Sequence, residues 1–259
     1  MFKKLNKKVA LFIIIAIVAL VILLILDYKL KIDYKDIIVE AHGLLMDIIL
    51  FGILITLYES ITGKKERIND LKDQLEDFRQ WEEKEATYRI IGIFKRLKNF
   101  GVNEIDLSYC FLQGAYFDDK FEMQGVNFSH ARMQNSRLNG VDFKNVVLFQ
   151  AKFENCFISN VDFTEANLKA VSFNNAKLFN SVKFNNANLE NAELLKLTYD
   201  KTTDLRGANL MGAFVEANWV ERITDAEILG LNEIIEKYEV YKYGEHEIYS
   251  HRLRERTTE

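Results

Sequence analysis

Large apolar residues recur every five positions across the second half of this chain, from Ile105 to about Ala217. This spacing fits neither the 3.6-residue period of an amphipathic helix nor the two-residue period of a half-buried strand. A small or branched residue precedes each large one by two positions, and glycine or asparagine follows it by two in most units. Because glycine and asparagine tolerate positive φ, they suit tight corners. The pattern therefore predicts a chain that turns every five residues and keeps its apolar side chains inside.

The repeated unit resembles the pentapeptide-repeat family, whose motif is alanine, then aspartate or asparagine, then leucine and two further residues. Clear copies of the motif are Ala166–Leu168, Ala187–Leu189, Ala208–Leu210 and, with valine in the lead, Val141–Phe143. The resemblance covers residues 104–220. It implies a right-handed quadrilateral β-helix with four units per coil.

Assigning every fourth unit to the same side gives four walls, which we number from the unit of Leu148 through those of Phe153, Ile158 and Phe163. Three steps of six residues interrupt the five-residue period, and all fall at the corner between the third and fourth walls. Insertions at random positions would not share a corner, which supports this register. We expect the structural core to be dominated by stacked phenylalanines, which are Phe143, Phe163 and Phe184 in the fourth wall and Phe153 and Phe173 in the second.

The beginning of the chain has the pattern of a membrane segment. Val9 to Leu26 contains no charged or polar residue and follows a start with four lysines. A bilayer-spanning helix needs about 20 apolar residues, so this run is nearly long enough. A cleaved signal peptide is the alternative, but the sequence after Leu26, Asp27–Lys29, is no small-residue cleavage site. We interpret the run as a retained transmembrane helix.

A second apolar stretch, Ile37 to Tyr58, follows after a short loop of balanced charge. Basic residues lie before the first stretch and after the second, at Lys64, Lys65 and Arg67. Since lysine and arginine mark cytoplasmic flanks, residues 1–62 are predicted to form a transmembrane helical hairpin with both termini inside. The predicted location is the inner (plasma) membrane, and the bilayer is the first expected partner.

Ionisable residues interrupt the second apolar stretch. Glu40, Gly43 and Asp47 share one helical face, at positions i, i+3 and i+7. An ionisable residue inside a membrane segment is by default a candidate functional residue. This face could form a homo-oligomer contact or line a pore; alternatively, Glu40 lies at the outer interface and Asp47 pairs within the hairpin.

Two further regions flank the predicted β-helix. Residues 63–103 are expected to form a cytoplasmic linker helix, either a short coiled coil or a solvated stalk, whose last part covers the open N-terminal end of the β-helix. Residues 221–259 are expected to form a C-terminal helical cap that begins at the capping box Thr224–Glu227, followed after Gly244 by a loose charged tail. The fold class is thus an α+β membrane protein.

The sequence offers little for catalysis. Its net charge of −4 gives no basic footprint for nucleic acid. Cys110 and Cys156 occupy the small inward column and are interpreted as buried packing thiols. There is no phosphate-cradling glycine loop and no nucleophile elbow. We therefore expect no enzymatic activity, cofactor, metal site, small-molecule substrate or nucleic-acid partner.

Three functions compete at this point. The first is a membrane-anchored scaffold that presents its β-helix to a cytoplasmic protein partner. The second is a homo-oligomeric channel or membrane effector, of the stress or phage-defence type, assembled through the face of Glu40 and Asp47. The third is a mimic of duplex DNA that acts on topoisomerase, as some family members do. Lysines among the acidic residues of the repeat, such as Lys152 and Lys169, and the predicted anchor disfavour it.

Overall fold

The computed structural model of the 259-residue chain describes residues 35–244 and 250–257, together with a few residues between 14 and 29. Most of the first predicted transmembrane helix, Val9 to Leu26, lies outside the described residues. The chain divides into two compact units, residues 1–69 and 70–259.

Two helices precede the repeat region: α1 (Lys35–Phe78) and α2 (Lys84–Asn99). The linker helix expected over residues 63–103 is divided, because α1 ends at Phe78 and α2 begins at Lys84. The amide of Trp81 turns back to the carbonyl of Phe78, and the two rings stack with centroids 5.6 Å apart. This break separates the end of α1 from the start of α2.

Helix α2 covers the first coil of the repeat region. Its buried face contains Ile90, Ile93, Phe94 and Leu97, at the spacing of one helical stripe. The Thr87 hydroxyl, on the same helix, donates a hydrogen bond of 3.1 Å to the carbonyl of Phe111. An apolar face and a polar anchor thus hold α2 against the open end of the coils, where unpaired strand groups would otherwise be exposed.

Very short parallel strands make up the repeat region. Residues 20 or 21 apart pair in parallel register, as Tyr116 does with Arg137 and Arg137 with Phe157. One coil therefore contains four five-residue units, with one extra residue in some coils, as the sequence predicts. The strands are β1 (Ile105–Asp106), β2 (Tyr116–Phe117), β3 (Val126–Asn127), β4 (Arg137–Asn139), β5 (Phe157–Ser159), β6 (Lys177–Phe179) and β7 (Phe214–Val215).

Residues at the corners of the coils adopt the left-handed backbone conformation. Asparagines predicted at corners have it, for example Asn155 with φ 58° and Asn175 with φ 58°. Less tolerant residues occupy the same kind of corner, as Ala170 does with φ 56°. The corner conformation is therefore imposed by the coil, and asparagine or glycine only lowers its cost.

The interior is filled by two interlocking columns of phenylalanine. Phe163 stacks on Phe184 in the fourth wall, with ring centroids 5.1 Å apart. Phe153 stacks on Phe173 in the second wall, at 5.2 Å. The columns meet edge to face, as Phe163 and Phe173 do at 5.9 Å, a favourable arrangement of aromatic rings. All of these side chains are fully buried.

The C-terminal region differs from its prediction. It contains α3 (Trp219–Asp225), α4 (Leu231–Lys237), β8 (Tyr238–Lys242) and β9 (His251–Glu255). Thr224 lies inside α3, and α4 begins after Gly230, whose φ is 89°, so the capping-box prediction is wrong. The expected loose tail is also wrong, because β9 pairs antiparallel with both β7 and β8.

Candidate interaction surfaces

The first candidate surface is the apolar part of α1. From His42 onward this helix is long and apolar enough to cross a membrane, judged by length and composition. It is the one such helix among the described residues. Its large apolar side chains are exposed along the segment, including Leu44, Phe51, Leu54 and Ile61. No other part of the described chain covers this apolar surface.

The predicted Glu40–Asp47 face lies on this helix. Gly43 and Asp47 are exposed, and a Cβ added to Gly43 would meet no atom within 4 Å. The side chain of Glu40 lies outside the described residues. The structure therefore places the three positions on one continuous helix, and whether they form a contact remains a prediction.

The C-terminal end of α1 is anchored to the first coil by Arg79. Its guanidinium donates to the carbonyl of Ser108 and, at 3.0 Å, to the hydroxyl of the same residue. It also donates to the carbonyl of Asp106 at 3.1 Å and pairs with Glu76 on α1. The hydrogen bond with the Glu76 carboxylate is the largest of the effects that raise the pKa of Arg79. The guanidinium is therefore always charged. Sequence analysis missed this residue, since it looked like one more charge on a solvated helix.

A polar groove runs along the outside of the second wall, with a volume of about 770 Å³. Arg132 lies at one end, where it pairs with Glu82 at 2.7 Å and lies 5.4 Å from the centre of the Phe111 ring. Two small residues, Ala170 and Ser172, form the shallow middle of the groove. The groove is therefore formed by outward-facing residues. The five-residue pattern of inward apolar residues does not predict it.

The carboxyl group of Glu154 lines this groove. Its Oε2 atom is buried and has no hydrogen-bond partner among the described residues. Burial raises the pKa of this carboxyl, and the positive charge of Lys152 opposes the shift only in part. Glu154 is thus a carboxylate in an unfavourable position when it is ionised.

Neither cysteine is placed for chemistry. Cys110 and Cys156 are free and buried, and burial raises the pKa of each thiol to about 12. The thiolate is the reactive form, so both are poor nucleophiles at neutral pH. No group of three or more histidine, cysteine or acidic side chains that could hold a metal ion occurs in the described part of the chain.

Comparison with known proteins agrees with the repeat geometry. The family model of pentapeptide repeats, with eight copies, matches residues 122–158 and 147–182. Residues 122–182 are thus pentapeptide repeats. No curated protein matches the chain significantly.

Several solved pentapeptide-repeat structures are similar to this chain. HetL, involved in heterocyst differentiation regulation in the cyanobacterium Nostoc sp. strain PCC 7120, is 23% identical over 47% of this chain and 49% of its own, with a TM-score of 0.42. A trypsin-treated form of QnrB1, a plasmid-mediated fluoroquinolone resistance protein, is 22% identical over 40% and 50%, with a TM-score of 0.33. Rfr23 from the cyanobacterium Cyanothece 51142 is 19% identical over 48% and 93%, with a TM-score of 0.25. The chain spans about half the length of the first two.

Proposed function

We propose that this pentapeptide-repeat protein is a membrane-anchored, non-catalytic interaction module, whose β-helix is presented to a protein partner in the cytoplasm. The observation that carries the proposal is the exposed apolar surface of α1. Leu44, Leu50, Phe51 and Leu57 are each more than half exposed, and Ile61 is 69% exposed. Such a continuous apolar surface is unfavourable in water and favourable in lipid.

The length of this surface suits a bilayer. Residues 44–61 rise by about 1.5 Å each, which gives roughly 27 Å, close to the ~30 Å hydrocarbon core. A helix also satisfies its own backbone hydrogen bonds, as a membrane segment must. The basic residues Lys64, Lys65 and Arg67 follow it and favour a cytoplasmic end there. The repeat region lies C-terminal to these basic residues, and therefore on the same, cytoplasmic side in this proposal.

Fractionation and labelling test the anchor. The full chain is expected in the membrane fraction, where it resists a carbonate wash and is released by detergent. In intact cells, a membrane-impermeant maleimide should label Lys31→Cys, in the predicted external loop, and spare Glu66→Cys. The wild-type thiols serve as the background control, because both are buried. Recovery of the chain in the soluble fraction without detergent would overturn the anchor.

A second function, the homo-oligomeric channel or membrane effector, is favoured by one observation. Asp47 is exposed within the apolar part of α1, one helical turn after Gly43. A carboxylate there is costly in lipid unless a partner helix or a water-filled path covers it. Asp47→Asn is expected to lower the oligomeric mass in detergent and to reduce ion flux through liposomes. Glu59→Gln, near the basic flank of the same helix, is the matched control. Unchanged mass and flux for Asp47→Asn would exclude the channel.

A further inference from the structure

The third wall carries an outward row in which aromatic and cationic residues alternate. Tyr116, Arg137, Phe157 and Lys177 are successive neighbours in parallel register, and all four are exposed. Tyr116 is 55% exposed and Phe157 is 42% exposed. The row lies on β2, β4, β5 and β6, which form one four-stranded sheet. We call these four residues the third-wall row.

The ring of Phe157 lies between the two cations. The guanidinium carbon of Arg137 is 5.7 Å from the ring centre, and Nζ of Lys177 is 5.3 Å from it. These cation–π contacts favour positions of both head groups close to one ring. Because Arg137 and Lys177 are two strands apart, their Cα atoms are separated by roughly 9.6 Å. The row therefore offers two positive charges at a defined spacing.

Several cations of the first and fourth walls are paired with carboxylates. Lys144 and Lys183 pair with Asp162, and Lys169 pairs with Glu190. Within the described part of the chain, neither cation of the third-wall row has a carboxylate partner. Exposed aromatic residues together with arginine are typical of the energetically important part of protein interfaces. The unneutralised charge favours an acidic partner.

The spacing favours one conformation of that partner. In a polyproline II helix, every third side chain lies on the same side, and three residues rise by about 9.3 Å. Carboxylates three residues apart would thus reach Arg137 and Lys177 together, and proline rings between them would cover Phe157. Aromatic surfaces commonly bind segments in this conformation.

We propose that the third-wall row binds an acidic, proline-rich segment of a partner protein, with carboxylates at every third position. This inference rests on the proposed function as an interaction module and names the chemistry of the partner. The net negative charge of the chain favours a protein over nucleic acid as the occupant.

A labelled peptide tests the proposal. Binding of fluorescein-labelled (Glu-Pro-Pro)4 to the full chain in detergent is measured by fluorescence anisotropy. A (Lys-Pro-Pro)4 peptide reverses the charge, and an alternating Glu-Pro peptide with the same number of glutamates changes the spacing. Both are expected to bind more weakly than (Glu-Pro-Pro)4. Arg137→Gln and Lys177→Gln should each weaken binding about threefold, and Phe157→Ser by at least as much. Lys169→Gln, whose cation is paired on the first wall, should leave binding unchanged.

Several results would overturn the inference. They are equal binding of the lysine peptide, no preference for the three-residue spacing, no measurable binding, or the same loss with Lys169→Gln as with Arg137→Gln. Tighter binding of a thymidine oligonucleotide would assign the row to nucleic acid instead. Melting temperatures equal to the wild type verify that the variants are folded. A soluble chain that binds the peptide would contradict the membrane anchor alone, and an anchored chain that does not bind would contradict this inference alone.

Discussion

The rings of Phe143 and Phe163 lie parallel inside the fourth wall, with centroids 5.3 Å apart and planes within 1° of each other. Phe163 continues the stack to Phe184 and meets Phe153 and Phe173 edge to face. One ring therefore contacts four others in two walls. Its removal would leave a cavity that its neighbours cannot fill without leaving their own stacks.

Phe163→Ala is expected to destabilise the β-helix by about 3–5 kcal/mol, since a fully buried phenyl group is lost and a cavity remains. Phe163→Leu should cost less, because most of the volume is kept. The measurement is the free energy of unfolding in urea, followed by circular dichroism. Phe157→Ala is the matched control, with an exposed ring and an expected loss of about 0.5 kcal/mol. Equal losses at the two positions would show that the fourth-wall stack does not stabilise the fold.

Much of the β-helix could be predicted from the sequence, because each coil requires the same residue types at the same local spacing. A large inward residue, a small inward residue and a corner residue recur at fixed spacing, so stacking of Phe163 on Phe184 requires no long-range information. The six-residue steps show where the coil takes an extra residue. For instance, the second six-residue step runs from Leu178 to Phe184, and the register is intact across it, since Lys177 before the step pairs with Thr198 after it.

The ends of the β-helix could not be predicted in the same way. Strand β9 is fixed by pairs distant in sequence, such as Arg252 with Phe214, whose ring centre lies 4.2 Å from the guanidinium carbon. Arg79 likewise reaches Ser108 across 29 residues. These contacts depend on which outward groups the last or first coil leaves unpaired, and the five-residue period carries no information about them. Tyr238, Val240 and Tyr241, which are residues enriched in strands, gave a local signal for β8.

Ala170 provides a test of corner strain. It adopts φ 56°, a conformation that costs an alanine roughly 1–2 kcal/mol and costs glycine almost nothing. Ala170→Gly is therefore expected to stabilise the fold by about 0.5–1 kcal/mol, after allowance for the greater freedom of glycine in the unfolded chain. Ala166→Gly, at the buried inward position of the same unit, should instead destabilise it. Thermal unfolding of both variants measures the difference. A lower melting temperature for Ala170→Gly would contradict the assigned corner.

Glu154 makes stability depend on pH. Burial raises the pKa of this carboxyl above its ordinary value of 4.5, so the folded state binds the proton more tightly than the unfolded state. Its contribution to stability is therefore present at low pH and falls as pH rises from 4.5 through the raised pKa. Glu154→Gln should remove this dependence and make the protein more stable than the wild type at pH 7, with the advantage shrinking toward pH 4.

Unfolding free energies of the wild type and Glu154→Gln between pH 4 and 8 measure this effect. Glu190→Gln is the control, since its carboxylate pairs with Lys169 on the first wall. A constant difference between wild type and Glu154→Gln over the whole range would show that burial does not perturb the carboxyl.

The anchor of α1 on the first coil can be followed through the cysteines. Arg79→Ala removes donors from two backbone carbonyls, those of Asp106 and Ser108, and should weaken the first coil by about 1–3 kcal/mol. Cys110 lies in that coil and Cys156 lies two coils further along. Local opening should therefore expose Cys110 first. Labelling by a disulfide reagent, measured in a Cys156→Ala background, is expected to accelerate about tenfold or more at Cys110.

Two comparisons decide whether the opening is local. In a Cys110→Ala background, Arg79→Ala should leave the labelling rate of Cys156 nearly unchanged, because the central coils keep their neighbours on both sides. Arg89→Ala, which removes an exposed pair with Glu85 and a cation–π contact with Phe78 but no hydrogen bond to the first coil, should leave both rates unchanged. Equal acceleration at the two cysteines would mean that Arg79 stabilises the β-helix as a whole. An unchanged rate at Cys110 would mean that the apolar contacts of α1 and α2 hold the first coil without the guanidinium.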